Sequence, residues 1–155
     1  MSQQKGKQPE IRFSKYGPNS IEGIAYVPKV MFLKKTGISG TSNDDFFVAP
    51  AGVFVQQAML RIDTELDGSG TVELGVDGNP DALIDQTDLD ASTAGNWATN
   101  IGSTTATGAN GLYLHAGDTL RLAVGGTPTQ GALSGFIQYF ELEAMESRGE
   151  HFDLS

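Results

Sequence analysis

The alternation running from Gly52 to Val76, GVFVQQAMLRIDTELDGSGTVELGV, constrains the fold of this chain more than any other stretch. Ala58, Leu60, Ile62, Thr64 and Leu66 fall on one side of an extended strand, and Met59, Arg61, Asp63 and Glu65 fall on the other. That is the period-2 pattern of a strand with one buried and one wet face. Asp67-Gly68-Ser69-Gly70 then supplies residues that tolerate positive φ, and Val72, Leu74 and Val76 resume the alternation. The segment reads as a long β-hairpin spanning 53–76.

The same stretch comes close to a calcium loop, with Asp63, Glu65, Asp67, Gly68 and Glu73 near the pattern D-x-[DN]-x-[DN]-G-x5-E. Glu65 stands where a short Asp or Asn is needed, and Glu73 arrives one residue early for the bidentate position. No helical pattern flanks the loop. These carboxylates read instead as the solvated face of a strand beside a turn. Asp77, Asp81, Asp85, Asp88 and Asp90 crowd the next segment, where Asp suits turns and caps because its side chain accepts bonds from nearby backbone N–H groups. Turn carboxylates are the expected reading of this segment, with a divalent-cation site as its alternative; no metal-ligand residues are assigned and no cofactor is expected.

Further alternation extends the all-β reading. Residues 27–35, VPKVMFLKK, form a plausible strand, and Thr36–Asp45 reads as a loop before the short apolar run Phe46-Phe47-Val48. Asp77-Gly78-Asn79-Pro80 is a turn, and 81–85 gives at most one short strand or helical turn. Leu112 and Leu114, then Leu120, Leu122 and Val124, alternate on either side of the His115–Asp118 turn. Residues 133–144, LSGFIQYFELEA, are long, aromatic and β-prone, with Phe136, Phe140 and Leu142 on one face and Ile137 and Tyr139 on the other. Both faces of that strand read as at least half buried. Twenty glycines and the scarcity of helical periodicity agree with an antiparallel β-sandwich whose core includes Leu60, Ile62, Leu74, Leu120, Leu122 and Phe140.

Between these strands, Ala91–Gly111 consists almost entirely of Ala, Ser, Thr, Gly and Asn, with Trp97 and Ile101 as its only large apolar side chains. Loops of this length inside compact domains are usually functional or disordered. Trp97 either covers the open end of the sandwich or anchors an interface, where Trp is enriched among residues that carry binding energy. Trp97 and Ile101 are the candidate self-association residues, with a trimer the favoured assembly.

The formal net charge of −9 hides an asymmetry. Residues 1–35 hold seven basic side chains against two acidic ones, and 36–155 hold three against seventeen. An acidic body repels phosphates, which argues against nucleic acid as partner. Residues 1–35 read as an N-terminal docking arm leading into the first strand, 36–144 as the sandwich, and 145–155 as a short polar tail. Lys5, Lys7, Arg12 and Lys15 supply the charges of the arm, and Ile11, Phe13 and Tyr16 supply its apolar anchors. Such an arm suits an acidic protein surface.

Catalysis finds little support. There is no Cys, and His115 and His151 are the only histidines, so a nucleophile has few possible bases. No nucleophile-elbow, zinc-helix, phosphate-loop or dinucleotide motif occurs. No run approaches the roughly 20 apolar residues of a membrane helix, and the first ten residues lack the apolar stretch of a signal peptide. The expectation is a protein without catalysis, without membrane contact, and made in a reducing cytoplasm.

The Pro-Ala-Gly turn at 50–52, the Gly-Ser-Gly turn leading into V-E-L-G-V, the N-P-D-A-L-I segment, the Ala-Gly-Asp turn at 116–118 and the G-G-T-P-T-Q-G loop at 125–131 together give residues 46–143 a resemblance to small β-sandwich proteins of tailed bacteriophages, in particular head decoration, or cement, proteins. The resemblance implies a jelly-roll-like fold and no catalytic residues. It also implies attachment to a phage major capsid protein on the exterior of the virion, after synthesis in the bacterial host. Two other readings use the same sandwich: a tail or fibre protein, and a carbohydrate-binding module stacking a glycan on Trp97, Tyr113 and Tyr139.

Overall fold

A computed structural model describes residues 28–142 of the chain. Its elements are nine strands: β1 (Lys29–Lys35), β2 (Ser42–Val48), β3 (Val53–Thr64), β4 (Thr71–Val76), β5 (Asn79–Ile84), β6 (Trp97–Thr99), β7 (Leu112–Leu114), β8 (Thr119–Gly125) and β9 (Ala132–Glu141). They form two antiparallel sheets, one in the order β1-β9-β3-β6 with β7 also pairing β3, the other in the order β2-β8-β4-β5. The pairing has a simple rule. First pairs with last, β1 with β9, and the rest follow inwards: β2 with β8, β3 with β6 and β7, β4 with β5. An antiparallel ribbon folded over in this way closes into a jelly roll, which hides inner apolar positions between two sheets. The expected fold class is the observed one.

The core follows the alternation. Val55, Leu60, Ile62, Leu74, Leu120, Leu133 and Ile137 are essentially inaccessible to water, and Leu122 is nearly so. Leu60 and Ile62 reach it from β3, and Leu74 from β4 faces Leu122 on β8 and Ile84 on β5.

The hairpin read from 53–76 does not form. β3 is paired on one side by β9 and on the other by β6 and β7, which leaves no free edge for β4. The turn is present, with Gly68 at φ 58° and Ser69 at φ 57°, yet it carries the chain from one sheet to the other. Leu66 plugs the crossing, 2% exposed, its N–H bonded to the carbonyl of Ala91 at 2.8 Å. Asp67 clasps the β8–β9 loop, accepting from the Thr129 N–H at 2.5 Å and hydroxyl at 2.6 Å. The tight hairpin lies one turn later, where Val76 pairs with Asn79 across Asp77-Gly78, Gly78 taking φ 91°. An Asp-Gly pair between two strands is a strong local signal for that geometry.

Three other expectations change. Ser42–Asp45 belong to β2 rather than to a loop: Asn43 and Asp45 are exposed, and Asp44 is bonded to Lys35 at 2.7 Å at the open side of the sandwich. Charges placed this way on an edge strand discourage pairing with another chain. In β9 the core side is Leu133, Ile137 and Tyr139, with the Tyr139 ring 5.4 Å from that of Phe47. Phe140 therefore stands on the opposite face with Phe136 and is not a core residue. The long loop 91–111 contains β6 and is held by the fully buried Asn100.

Candidate interaction surface

The two outer faces of the sandwich differ in kind. On the β2-β8-β4-β5 sheet the outward positions mix small and polar residues with the carboxylates of Asp45, Glu73 and Asp81, and Val48 is the exposed large apolar side chain among them. Arg121 on β8 holds Asp45 through Nε at 2.6 Å and Nη2 at 3.1 Å, and reaches Asp77 in the β4–β5 turn through Nη1 at 2.8 Å. The Arg121 hydrogen bond keeps the Asp45 carboxyl below its ordinary range. On β4, partial burial pushes the Glu73 carboxyl up, and the charges of Asp81 and Asp85 add to the effect. This face suits water.

The β1-β9-β3 sheet presents the reverse. Phe32, 81% exposed, pairs with Phe136, which pairs in turn with Met59, so three large apolar side chains stand in one row across three strands. A second row runs Phe140, Phe54, Tyr113 across β9, β3 and β7. Between the rows lies Gln138, paired with Val30 and bonded through Nε2 to the Gln56 carboxamide oxygen at 3.1 Å. Beyond the first row, Lys34, Ser134, Arg61 and Trp97 form a mixed row in which Arg61 is bonded to Asp63 at 2.8 Å through Nε. A row of aromatic residues at outward strand positions exceeds the scattered apolar exposure of an ordinary surface and marks a site of contact.

Charge sharpens the contrast. Residues 28–142 hold thirteen acidic and five basic side chains, but the outward positions of β1, β9 and β3 carry only Lys34, Arg61 and Asp63. The large sheet is therefore the nearly neutral side of an acidic body.

The expected site residues distribute unevenly. Trp97, 60% exposed, stands on β6 at the edge of the apolar face, with Ile101 half exposed just beyond it. Trp97 does not cover the end of the sandwich. Lys5, Lys7, Ile11, Arg12, Phe13, Lys15 and Tyr16 lie outside the described residues. The stacking platform of Trp97, Tyr113 and Tyr139 is not assembled, because Tyr139 faces inwards against Phe47 while the other two face out.

The carboxylates of the calcium-like stretch are occupied separately, Asp63 by Arg61 and Asp67 by the loop at 129–130, while Glu73 stands on the other sheet. Farther on, Asp85 caps Thr87, Asp90 caps Ser92 and Thr93, and Asp88 accepts from Ser103 and Thr105. His115 is exposed in its turn, its ring edge-on to Tyr113 at 4.8 Å between centroids.

Phe32, Phe136, Met59, Phe54 and Phe140 were not legible as a surface from alternation. The available signal was that β1 and β9 are apolar at both odd and even positions, which in a two-layer fold leaves one set without a core to enter.

The fold has a counterpart in a phage capsid. A chain of the acid-stable capsid structure of Helicobacter pylori bacteriophage KHP30 superposes with a TM-score of 0.50 at 11% identity, over 74% of this chain and 87% of that one. A chain of the cyanophage Pam1 capsid asymmetric unit gives 0.49 at 18% identity, over 90% of this chain and 99% of that one. At such identities the first likeness is one of fold. No protein-family model and no curated protein matches the sequence.

Proposed function

We propose that this protein is a non-enzymatic structural component of a phage virion, a decoration protein that binds the outer surface of the capsid and stabilises the head lattice. The observation that carries this reading is a complete jelly roll whose large sheet presents aromatic rows to the outside, in a fold that also occurs in the KHP30 capsid. The described side chains support a binding role: most of the acids are engaged in turns, caps and ion pairs, and Phe32, Trp97 and Tyr113 are large apolar groups open to solvent.

The attachment we assign to the N-terminal arm, with Lys5, Lys7, Arg12 and Lys15 meeting an acidic face of the major capsid protein and Ile11, Phe13 and Tyr16 anchoring it. Exposed ion pairs contribute little alone, so the apolar anchors hold the arm at moderate salt and the charges guide it. Self-association, with Trp97 and Ile101 at its margin, gives the bound protein its valency.

The test is a protein lacking residues 1–25, offered to capsids stripped of their native copies. It keeps the β-type circular dichroism spectrum of the full chain and fails to bind. Binding at full-length affinity overturns the arm as the attachment element. Copy counting by mass spectrometry of intact particles tests the location: hundreds of copies mean the head, and a handful means the tail.

A further inference from the structure

We infer that the outer face of the β1-β9-β3 sheet is the contact between two copies of this chain, packed face to face about a two-fold axis that passes over Gln138. The inference deepens the self-association proposed above and rests on it, but it does not depend on capsid attachment.

Electrostatics select the face. Two copies of an acidic body repel across most of their surface, and the repulsion is weakest where carboxylates are absent. The outward positions of β1, β9 and β3 are that place, since Asp63 there is already bonded to Arg61 and Lys34 stands nearby. The opposite sheet, with Asp45, Asp77, Glu73, Asp81 and Asp85 against Arg121, is the least favourable surface on which to place a second copy.

The pattern on β9 is self-complementary. Its outward side chains read Phe136, Gln138, Phe140, which is the same forwards and backwards. A two-fold axis lying in the interface and crossing the strands over Gln138 lays Phe136 of one copy on Phe140 of the other. The same rotation brings the Met59 end of one β3 over the Phe54 end of its mate. Each partner of such an isologous contact offers the same patch, as two-fold pairing requires. The Gln138 carboxamides meet at the centre, where Gln56 already satisfies part of their hydrogen bonding.

The area is modest: about an axis over Gln138 the sheets overlap along 135–141 of β9, 53–61 of β3 and 29–31 of β1, and strands about 4.8 Å apart with about 3.3 Å per residue then give roughly 300 Å² per copy, the size of a weak, reversible contact. Phe32, on an edge strand and four-fifths exposed, lies at the margin of this contact, level with the start of the mate's β1. Face-to-face packing of sheets makes pairs, so this contact yields a dimer where the loop around Trp97 alone suggests a trimer.

The chain has no cysteine, which makes a cross-linking test clean. Gln138→Cys sits on the proposed axis, where face-to-face sheets hold the two Cα atoms about 10 Å apart, too far for a direct disulfide, and a short bismaleimide links the purified protein into a dimer there. Ala123→Cys, outward on the other sheet, gives no linked dimer. Phe136→Asp, beside the axis, weakens the dimer about 100-fold by sedimentation analysis, the scale expected for a central interface residue, and Phe32→Asp, at the margin, weakens it about 10-fold. Phe32 packs on no core residue, so that variant keeps its β-type spectrum even if Phe136→Asp does not.

A strict monomer at about 100 μM, where even a weak dimer is populated, overturns the inference. So does equal cross-linking at 123 and 138. A trimer that depends on Trp97 and ignores Phe32→Asp overturns the pairing while leaving self-association intact. Loss of binding to stripped capsids by Phe32→Asp, with the purified protein monomeric throughout, gives the face to the capsid and overturns it too.

Discussion

The side chain of Asn100 accepts the backbone N–H of Ala58 at 2.7 Å while donating to the carbonyl of Gly108 at 2.8 Å. A third bond reaches the carbonyl of Gln56 at 3.3 Å, and Asn100 is wholly buried. One carboxamide thus ties the irregular point of β3, where the register with β9 shifts between Val55 and Gln57, to the loop that follows β6. Asn100→Ala leaves a donor and two acceptors without their partner and should cost about 2–4 kcal/mol. The check is the urea midpoint at unchanged slope. A cost below about 0.5 kcal/mol, within the range of neutral surface changes, means water replaces the side chain without loss.

Leu60 and Leu122 sit in the core from opposite sheets, the first wholly buried and the second 5% exposed. Truncation of either to Ala should cost about 2–5 kcal/mol, the range for buried leucines that leave a cavity. Leu60 should lie toward the upper part of that range, because β3 is held on both sides and has little freedom to collapse. Denaturant unfolding of both variants decides the order.

Asp67 links stability to acid. Bonds from the Thr129 hydroxyl and N–H hold its carboxyl below the ordinary value of 3.8, so the folded state releases this proton more readily than the unfolded state does. The resulting stabilisation is fully present above pH 3.8 and disappears as pH falls through the lower folded value. Asp67→Asn should therefore lower the melting temperature at pH 7, and the difference from the parent should narrow in acid below that value. A pH-independent difference means the clasp acts by packing alone.

Glu73 behaves in the opposite sense. Burial and the charges of Asp81 and Asp85 raise its folded value above 4.5, so the ionised form is disfavoured in the folded state. Its contribution to stability grows as pH falls toward 4.5 and is unfavourable at neutral pH. Glu73→Gln should stabilise the protein slightly at pH 7, and the gain should vanish below the ordinary value of 4.5. Thermal melts at the two pH values measure it.

How far the fold was legible follows from what alternation encodes. Leu60, Ile62, Leu74 and Leu120 were readable as core because strands of one buried face print that face at every second residue. Which strand lies beside which is a different quantity. Nothing in residues 53–76 states that β9, some 70 residues later, fills the edge that β4 was expected to take. Where a strand is apolar on both faces, as β9 is, alternation loses its sign, and Phe140 was placed inwards for that reason. The polar residues of β2 concealed a strand because their partners, Lys35 and Arg121, come from other elements. Trp97 was visible as an unplaced aromatic, whereas Asn100 was one of many small polar residues until its three partners came together.

The position of β9 sets the order in which the molecule can be made. β9 lies between β1 and β3, and β8 lies between β2 and β4, so the middle of each sheet comes from the last part of the chain. During translation the first five strands leave the ribosome with their central partners still unsynthesised. Their edges stay open for that interval, and folding of the domain is a late, collective step that waits for residue 141, slow in the manner of all long-range β pairings.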